Sequence, residues 1–204
     1  MTFRQNHKKH LLRIKAAVVT AVAAAIALGG CLGEPEVDER WTLVEVLDIA
    51  PQPGYTATAG QAIDISVNGR ITYRRILTGF LVAEVRYSPA VPPSQVALDL
   101  TRHTEQVAQD VDLILANSTT AGRAIKPVTG YDHLMQDIRL SFTAQLPDTA
   151  DNGGVYVLLY MGDGEEIRLA DGRDSLVVTP FVSTEYEVLH TGFALGVSPP
   201  GGRP

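Results

Sequence analysis

The chain reads as an all-β protein, an antiparallel β-sandwich that follows an N-terminal leader. Three observations lead there. Apolar and polar residues alternate with a period of two in several short runs, the mark of strands buried on one face. Gly, Pro and Asn, the residues that turns demand, separate those runs. After residue 40 no stretch sustains the 3.6-residue apolar period of an amphipathic helix. A closed barrel is the other architecture that suits such a pattern.

Residues 1–30 are the leader. Arg4, Lys8, Lys9, Arg13 and Lys15 stand there without an acidic residue, and residues 16–30 carry no charge. A basic segment followed by an apolar one is the pattern of a secretory signal. The uncharged run is 15 residues long, shorter than the ~20 a helix needs to cross a bilayer. Small residues close it, so a retained membrane-spanning helix is the weaker reading. Cys31 follows, the only cysteine of the chain. Glu34, Glu36, Asp38 and Glu39 around Pro35 make residues 33–39 polar and acidic. Residues 31–39 thus read as a short tether to a domain expected over residues 40–193.

Within that domain, residues 43–49 are rich in β-branched and aliphatic side chains. Residues 62–67 alternate, Ile63, Ile65 and Val67 against Asp64 and Ser66, and Asn68-Gly69 reads as a tight turn after them. Residues 71–73 and 80–87 follow as strands, the latter setting Leu81, Ala83 and Val85 opposite Val82, Glu84 and Arg86. A further strand is expected over residues 95–100 through Val96, Leu98 and Leu100. Residues 111–116 admit either a short helix begun at Thr104 or a strand, which the alternation of Val111, Leu113 and Leu115 favours. Residues 137–146 alternate most cleanly, with Ile138, Leu140, Phe142 and Ala144 on one face. Residues 155–161 and 165–169 read as a hairpin turning at Gly162-Asp163-Gly164. Residues 175–182 and 186–189 bring the count to about nine strands, the number and spacing of a sandwich. Pro199, Pro200, Gly201 and Gly202 end the series, so residues 194–204 are expected as a flexible tail.

Composition narrows the function classes. Removal of residues 1–30 leaves 174 residues with 12 basic against 23 acidic side chains, a formal charge of −11. That length supports one domain with a real core. Phosphate binding needs a basic surface, so nucleic acid is not an expected partner. A single cysteine permits no disulfide within the chain, and the domain must stand on packing alone.

The string Leu28-Gly29-Gly30-Cys31 resembles the lipobox of bacterial lipoproteins, in which an aliphatic residue stands three before an obligatory cysteine and small residues fill the gap. The resemblance implies that Cys31 is the lipid-attachment residue. Its thiol would take diacylglycerol, a peptidase would cut before it, and the freed amine would take a further acyl chain such as palmitate. Membrane lipid is the partner this implies. Several acyl chains, at ~0.8 kcal/mol per buried methylene, hold a protein far better than one. Leu32 stands where an aspartate retains such proteins at the inner membrane, so the resemblance implies the outer membrane in a Gram-negative cell envelope. A second resemblance lies in the domain. Pro51-Gln52-Pro53-Gly54, then Gly60, then Ile63 to Val67 resembles the opening of bacterial immunoglobulin-like (Ig-like) domains of envelope proteins, and residues 138–146 are similar to their later core strand. Asn68 departs from that pattern, which has phenylalanine there. This resemblance implies an Ig-like β-sandwich in a structural or binding role, with an envelope protein or a glycan as partner. It implies no catalytic residue and no cofactor. The alternative is a carbohydrate-binding or hydrolytic accessory domain on the same scaffold.

Candidate chemistry is sparse. Residues 162–174 carry Asp163, Glu165, Glu166, Asp171 and Asp174 among glycines, and Asp148, Asp151 and Asn152 stand together further back. Calcium wants six to eight closely placed oxygens, but neither segment has the order of acids a calcium loop uses, and turn formation accounts for both. His103, His133 and His190 lack metal-ligand spacing and read as surface or strand-edge residues. No nucleophile elbow is present. Tyr73, Phe80, Tyr87, Tyr156, Tyr160 and Tyr186 could form a sugar-stacking face, although core packing is the stronger expectation for aromatics on strands.

Overall fold

The computed structural model describes residues 41–74, 77–101, 104–130, 134–169, 173–181, 187–188 and 190–201. The leader, Cys31 and the tether lie outside them. Arg40–Pro204 makes one compact unit. Its described residues form ten strands and one α-helix: β1 (Trp41–Ala50), β2 (Thr56–Thr58), β3 (Ala62–Arg74), β4 (Leu77–Ser88), α1 (Glu105–Ala116), β5 (Thr119–Gly130), β6 (Leu134–Gln145), β7 (Gly154–Arg168), β8 (Asp174–Pro180), β9 (Glu187–Val188) and β10 (Thr191–Ser198).

The protein is mostly β, in two sheets. One has the order β6-β3-β1-β9; the other runs β2-β10-β7-β4-β5, with β8 paired to β7. Their facing sides share a core. Ile63, Ile65, Val67 and Ile71 of β3 with Ile138, Leu140 and Ala144 of β6 meet Leu81, Ala83 and Val85 of β4, alternate residues of β7 from Val155 to Met161, and Phe193 and Leu195 of β10. Those of β3 up to Val67, of β4 and of β6 are positions that the alternation places on one face; those of β7 and β10 are not marked by it. The outer side of the first sheet is polar, with Asp64 accepting from Thr143 Oγ1 at 2.7 Å and Arg70 paired to Asp137 at 2.9 Å.

The sheets depart from a purely antiparallel sandwich. β1–β9 and β2–β10 are parallel pairs. The chain leaves the first sheet at Ala50 and joins the second through β2, which lies along the edge of β10. The second sheet also curls into a half-barrel. Arg123 of β5 donates to the Leu176 carbonyl of β8 at 3.0 Å, so the far part of the β7–β8 pair turns over the outer side of β4 and β5.

Five local expectations are corrected by the structure. Asn68-Gly69 is no turn; β3 runs straight through it, and a Cβ at Gly69 would lie 2.6 Å from the Glu45 carbonyl. Glycine is there for close strand approach, opposite a bulge in β1. That bulge, between Val46 and Asp48, turns both Val46 and Ile49 to the core and leaves Leu47 56% exposed. Gly162-Asp163-Gly164 is likewise strand, inside the 15-residue β7. A Cβ at Gly162 would meet the Thr179 carbonyl at 2.1 Å, and one at Gly164 would strike the Phe80 ring at 2.3 Å. The hairpin closes later, where Leu169 N–H donates to the Arg173 carbonyl. Residues 95–100 form no strand, because Pro92 and Pro93 set a 3-10 turn at Pro93–Gln95.

The fourth correction is α1, where the strand reading was favoured. Val107, Ala108, Val111 and Ile114 are buried at helical spacing. Thr104 caps the first turn, its Oγ1 accepting from Val107 N–H at 3.2 Å. Last, the expected tail boundary at residue 194 falls inside β10. Residues 191–195 pair with β7 and residues 196–198 with β2, so the strand stops only at the Pro199-Pro200 pair, which lacks backbone donors.

Candidate functional site

The middle of the second sheet, residues 81–85 of β4 and 155–161 of β7, is buried on both sides, and its outer side carries the domain's concentrated polar chemistry. Val82, Tyr156, Leu158 and Tyr160 there pack under Val111 and Ile114 of α1 and Val91 of the preceding loop. Double burial explains why residues 155–161 read as an unbroken apolar run. Beside this apolar patch, the same side of β4 presents Glu84, Arg86 and Ser88 to the C-terminal end of α1.

Glu84 is fully buried. Its Oε1 accepts from Arg86 Nη1 at 2.9 Å and from Tyr160 O–H at 3.1 Å, and its Oε2 from Thr120 Oγ1 at 3.3 Å. Arg86 reaches onward: Nε donates to Ser118 Oγ at 2.6 Å, and Nη2 donates to the carbonyls of Leu115 at 3.3 Å and Ser118 at 2.9 Å. A helix leaves its last four carbonyls without internal partners. Here three of them are met from outside and from the cap: Arg86 takes Leu115, Ser118 Oγ donates to Ile114, and Asn117 Nδ2 donates to Leu113 at 2.8 Å. Ser88 Oγ adds a bond to the Asn117 carbonyl at 2.7 Å. The last turn of α1 holds no basic residue, so the cation its dipole favours comes from β4.

The other end of α1 and the loop before it are pinned by comparable bonds. Asp110, 5% exposed, accepts from Ala97 N–H at 2.8 Å and from Gln106 Nε2 at 2.9 Å. Tyr156 O–H donates to the Val91 carbonyl at 2.6 Å, and burial pushes its pKa up to about 12. Thr191 Oγ1 donates to the Asp99 carbonyl at 2.9 Å.

His190 lies at the border of this cluster, edge-on to Tyr160 with ring centroids 6.0 Å apart. Its Nε2 stands 3.0 Å from the Phe181 carbonyl, which fixes the Nε2-protonated tautomer because a carbonyl only accepts. Nδ1 is buried without a hydrogen-bond partner. Burial lowers the pKa of His190 below 6.5, opposed by the Phe181 carbonyl and the Asp112 charge. Burial raises the phenol pKa of Tyr160 well above its usual range, and the Glu84 charge and hydrogen bond add to this against Arg86 and Arg123. Tyr160 therefore stays protonated and donating. The carboxylate, guanidinium and hydroxyls of the cluster are engaged with one another or with α1. What this arrangement does is clasp a helix to a sheet.

Cys31 lies outside the described residues. Of the acidic residues at 162–174, Asp163, Glu165, Glu166 and Asp174 are exposed on β7 and β8, and Asp171 lies outside the description. Neighbours on a strand point to opposite faces, so Glu165 and Glu166 do not face one ligand. Asp148 precedes a 3-10 turn at Ala150–Asn152 that Asn152 ends, and the side chain of Asp151 lies outside the description. Among the described residues no three His, Cys, Asp or Glu side chains are grouped to hold a metal ion. His103 and His133 lie outside the description; His190, expected at the surface, is buried because it opens β10 beneath Tyr160. Of the aromatics, Tyr156 and Tyr160 are buried, Phe80 covers Gly164, and Tyr87 donates to the Thr149 carbonyl at 2.8 Å. The side chain of Tyr73 and all of Tyr186 lie outside the description. The Glu84–Arg86–Tyr160 group was missed in the sequence. Its trace is an acid and a base two apart in residues 80–87, whose other members are aliphatic or aromatic.

Among the described residues no helix is long and apolar enough to cross a membrane. No protein-family model matches this chain, and no curated protein matches it.

Proposed function

We propose that this is a lipid-anchored cell-envelope protein, held to the outer membrane by acylated Cys31 and presenting a non-enzymatic Ig-like β-sandwich in a binding or structural role. The observation that carries the reading is Leu28-Gly29-Gly30-Cys31 at the close of a basic-then-apolar leader. The strand order supports the Ig-like part. β1–β3–β6 face β5–β4–β7–β10, and the first edge of the chain divides between the sheets, β1 beside β3 and β2 parallel to β10. That is the division by which Ig-like sandwiches pair their strands. The non-enzymatic part is supported by the buried cluster, whose ionised and hydroxyl groups are engaged with one another or with the end of α1. Burial of Tyr156 and Tyr160 weighs against a sugar-stacking strip built on them.

Lipidation is tested in cells fed an alkyne-bearing fatty acid. The native chain should take the label and shift to the mass of an acylated protein beginning at Cys31; the Cys31→Ala chain should take none and accumulate uncut. Identical processing of the two chains would overturn the reading.

A further inference from the structure

We infer that Asn152-Gly153, in the turn between β6 and β7, is a site of spontaneous covalent modification, where the fold lets the side-chain amide be lost and an isoaspartyl linkage enter the backbone.

The chemistry is that of an asparagine followed by glycine. The Gly153 nitrogen attacks Cγ of Asn152, a C–N bond forms, and the side-chain amide leaves as ammonia, carrying off the proton of the Gly153 N–H. A five-membered succinimide results. Water then opens the ring at either carbonyl: addition at Cγ gives aspartate, and addition at the backbone carbonyl carbon gives isoaspartate. Glycine suits the step because it has no side chain to block the approach to its nitrogen.

The chain has two such dipeptides, Asn68-Gly69 and Asn152-Gly153, and the fold separates them. Ring closure turns the asparagine backbone until Cβ and the next nitrogen lie on the same side of the Cα–C bond, a conformation that neither a strand nor a 3-10 turn has. The residue must leave its secondary structure, so the free energy of local opening governs the rate. That free energy runs from near zero in surface loops to the global value in core strands.

Asn68 lies inside β3, paired to Asp48 of β1 on one side and to Arg139 of β6 on the other, and Gly69 is buried. Opening it breaks the first sheet along its length. Asn152 is exposed and ends the three-residue 3-10 turn Ala150–Asn152. Its N–H donates to the Thr149 carbonyl and the Gly153 N–H to the Ala150 carbonyl, each at 3.2 Å, the long end of the range for such bonds. Hydrogen bonds of 3-10 geometry are also poorly aligned. Opening here loosens a surface turn and leaves both sheets paired.

Isoaspartate lengthens the backbone by one methylene just before Gly153, which is closely seated. A Cβ on Gly153 would lie 2.4 Å from the Ser88 carbonyl and 2.8 Å from the Tyr87 ring. The turn is fixed at its start as well, by fully buried Ala150 and by Tyr87 O–H donating to the Thr149 carbonyl at 2.8 Å. A longer chain between two fixed points strains both, whereas aspartate adds charge but no backbone atom.

The full-length protein is aged in mildly alkaline buffer made with heavy-oxygen water, folded in one sample and unfolded in guanidinium chloride in another. Peptide mapping by mass spectrometry reads conversion at both dipeptides, and an isoaspartyl methyltransferase labels the rearranged product. In the folded protein Asn152 should convert severalfold faster than Asn68; in guanidinium the two should convert at similar rates. An Asn152 that stays intact in the folded protein, or a ratio of rates that is the same folded and unfolded, overturns the assignment. Urea denaturation of the separated isoaspartyl protein should show a lower midpoint than the native chain, and Asn152→Asp a midpoint close to native. An isoaspartyl protein as stable as the native one removes the strain at the turn.

Discussion

His190 shows how one residue records the fold around it. In the sequence it is an isolated histidine before Thr191 and Gly192. In the fold its ring is 2% exposed, donates through Nε2 to the Phe181 carbonyl and leaves Nδ1 unpaired. Burial penalises the imidazolium and lowers the pKa from 6.5. The consequence for stability has a definite sign. Above pH 6.5 both folded and unfolded states hold the ring neutral and the full stability is present; as pH falls below that value, the unfolded chain binds a proton the folded one resists, and stability drops until the lowered folded pKa is passed. His190→Gln keeps an amide N–H for Phe181 and does not titrate. Urea denaturation at neutral pH and at pH values below 6.5 should show a smaller acid loss for His190→Gln than for the native protein, and equal losses would remove His190 as the cause. Glu84 was legible only as one half of an alternation. That it is fully buried, and bonded to a tyrosine 76 positions away, depends on neighbours that no local pattern names.

At the scale of elements, α1 is the piece whose identity changed most between sequence and structure. Val111, Leu113 and Leu115 alternate as a strand does, and Val107, Val111 and Ile114 recur as a helix does; both periods are present in the same residues. The choice is made at the ends. Thr104 Oγ1 accepts from the Val107 N–H of the first turn, and Arg86 with Ser118 satisfies the Leu115 and Ile114 carbonyls of the last, groups that a helix leaves without internal partners. Arg86→Ala should expose how much rests on this. It leaves Glu84 buried without its cation and frees the Leu115 and Ser118 carbonyls together. Breaking a buried ion pair on one side costs about 3–5 kcal/mol, while replacing both partners by apolar residues often costs far less. Urea denaturation should therefore place Arg86→Ala well below Glu84→Met/Arg86→Met in stability; the reverse order would show that the ion pair is not what holds α1. The strands were read more faithfully, with errors at glycines. Gly69, Gly162 and Gly164 signal turns by composition, yet each sits in a strand where a second strand or a ring comes too near for a Cβ.

At the scale of the whole molecule, one core joins the two sheets, and this predicts how the protein comes apart. Leu81 is fully buried among residues of both sheets. Leu81→Ala should cost about 2–5 kcal/mol through lost transfer energy and the cavity it leaves. Because the core is shared, hydrogen exchange should show amides of β3 and β7 losing protection by the same increment. A loss confined to β7 would mean that the sheets unfold separately. The sequence by itself determined the β character, the grouping of apolar residues on one face of β3, β4 and β6, the charge balance that disfavours nucleic acid, and the motif at Cys31 on which the proposed anchor rests. These are properties of neighbouring residues, carried by a period of two or a contiguous string, and they survive without knowledge of the fold. Only the tertiary structure decided the parallel pairs at β1–β9 and β2–β10, the helix over the second sheet, the burial of Glu84 and His190, and the strand state of three glycines. Each depends on which distant segment lies across the way, and the free energy of burying a group is set by that neighbour as much as by the group itself.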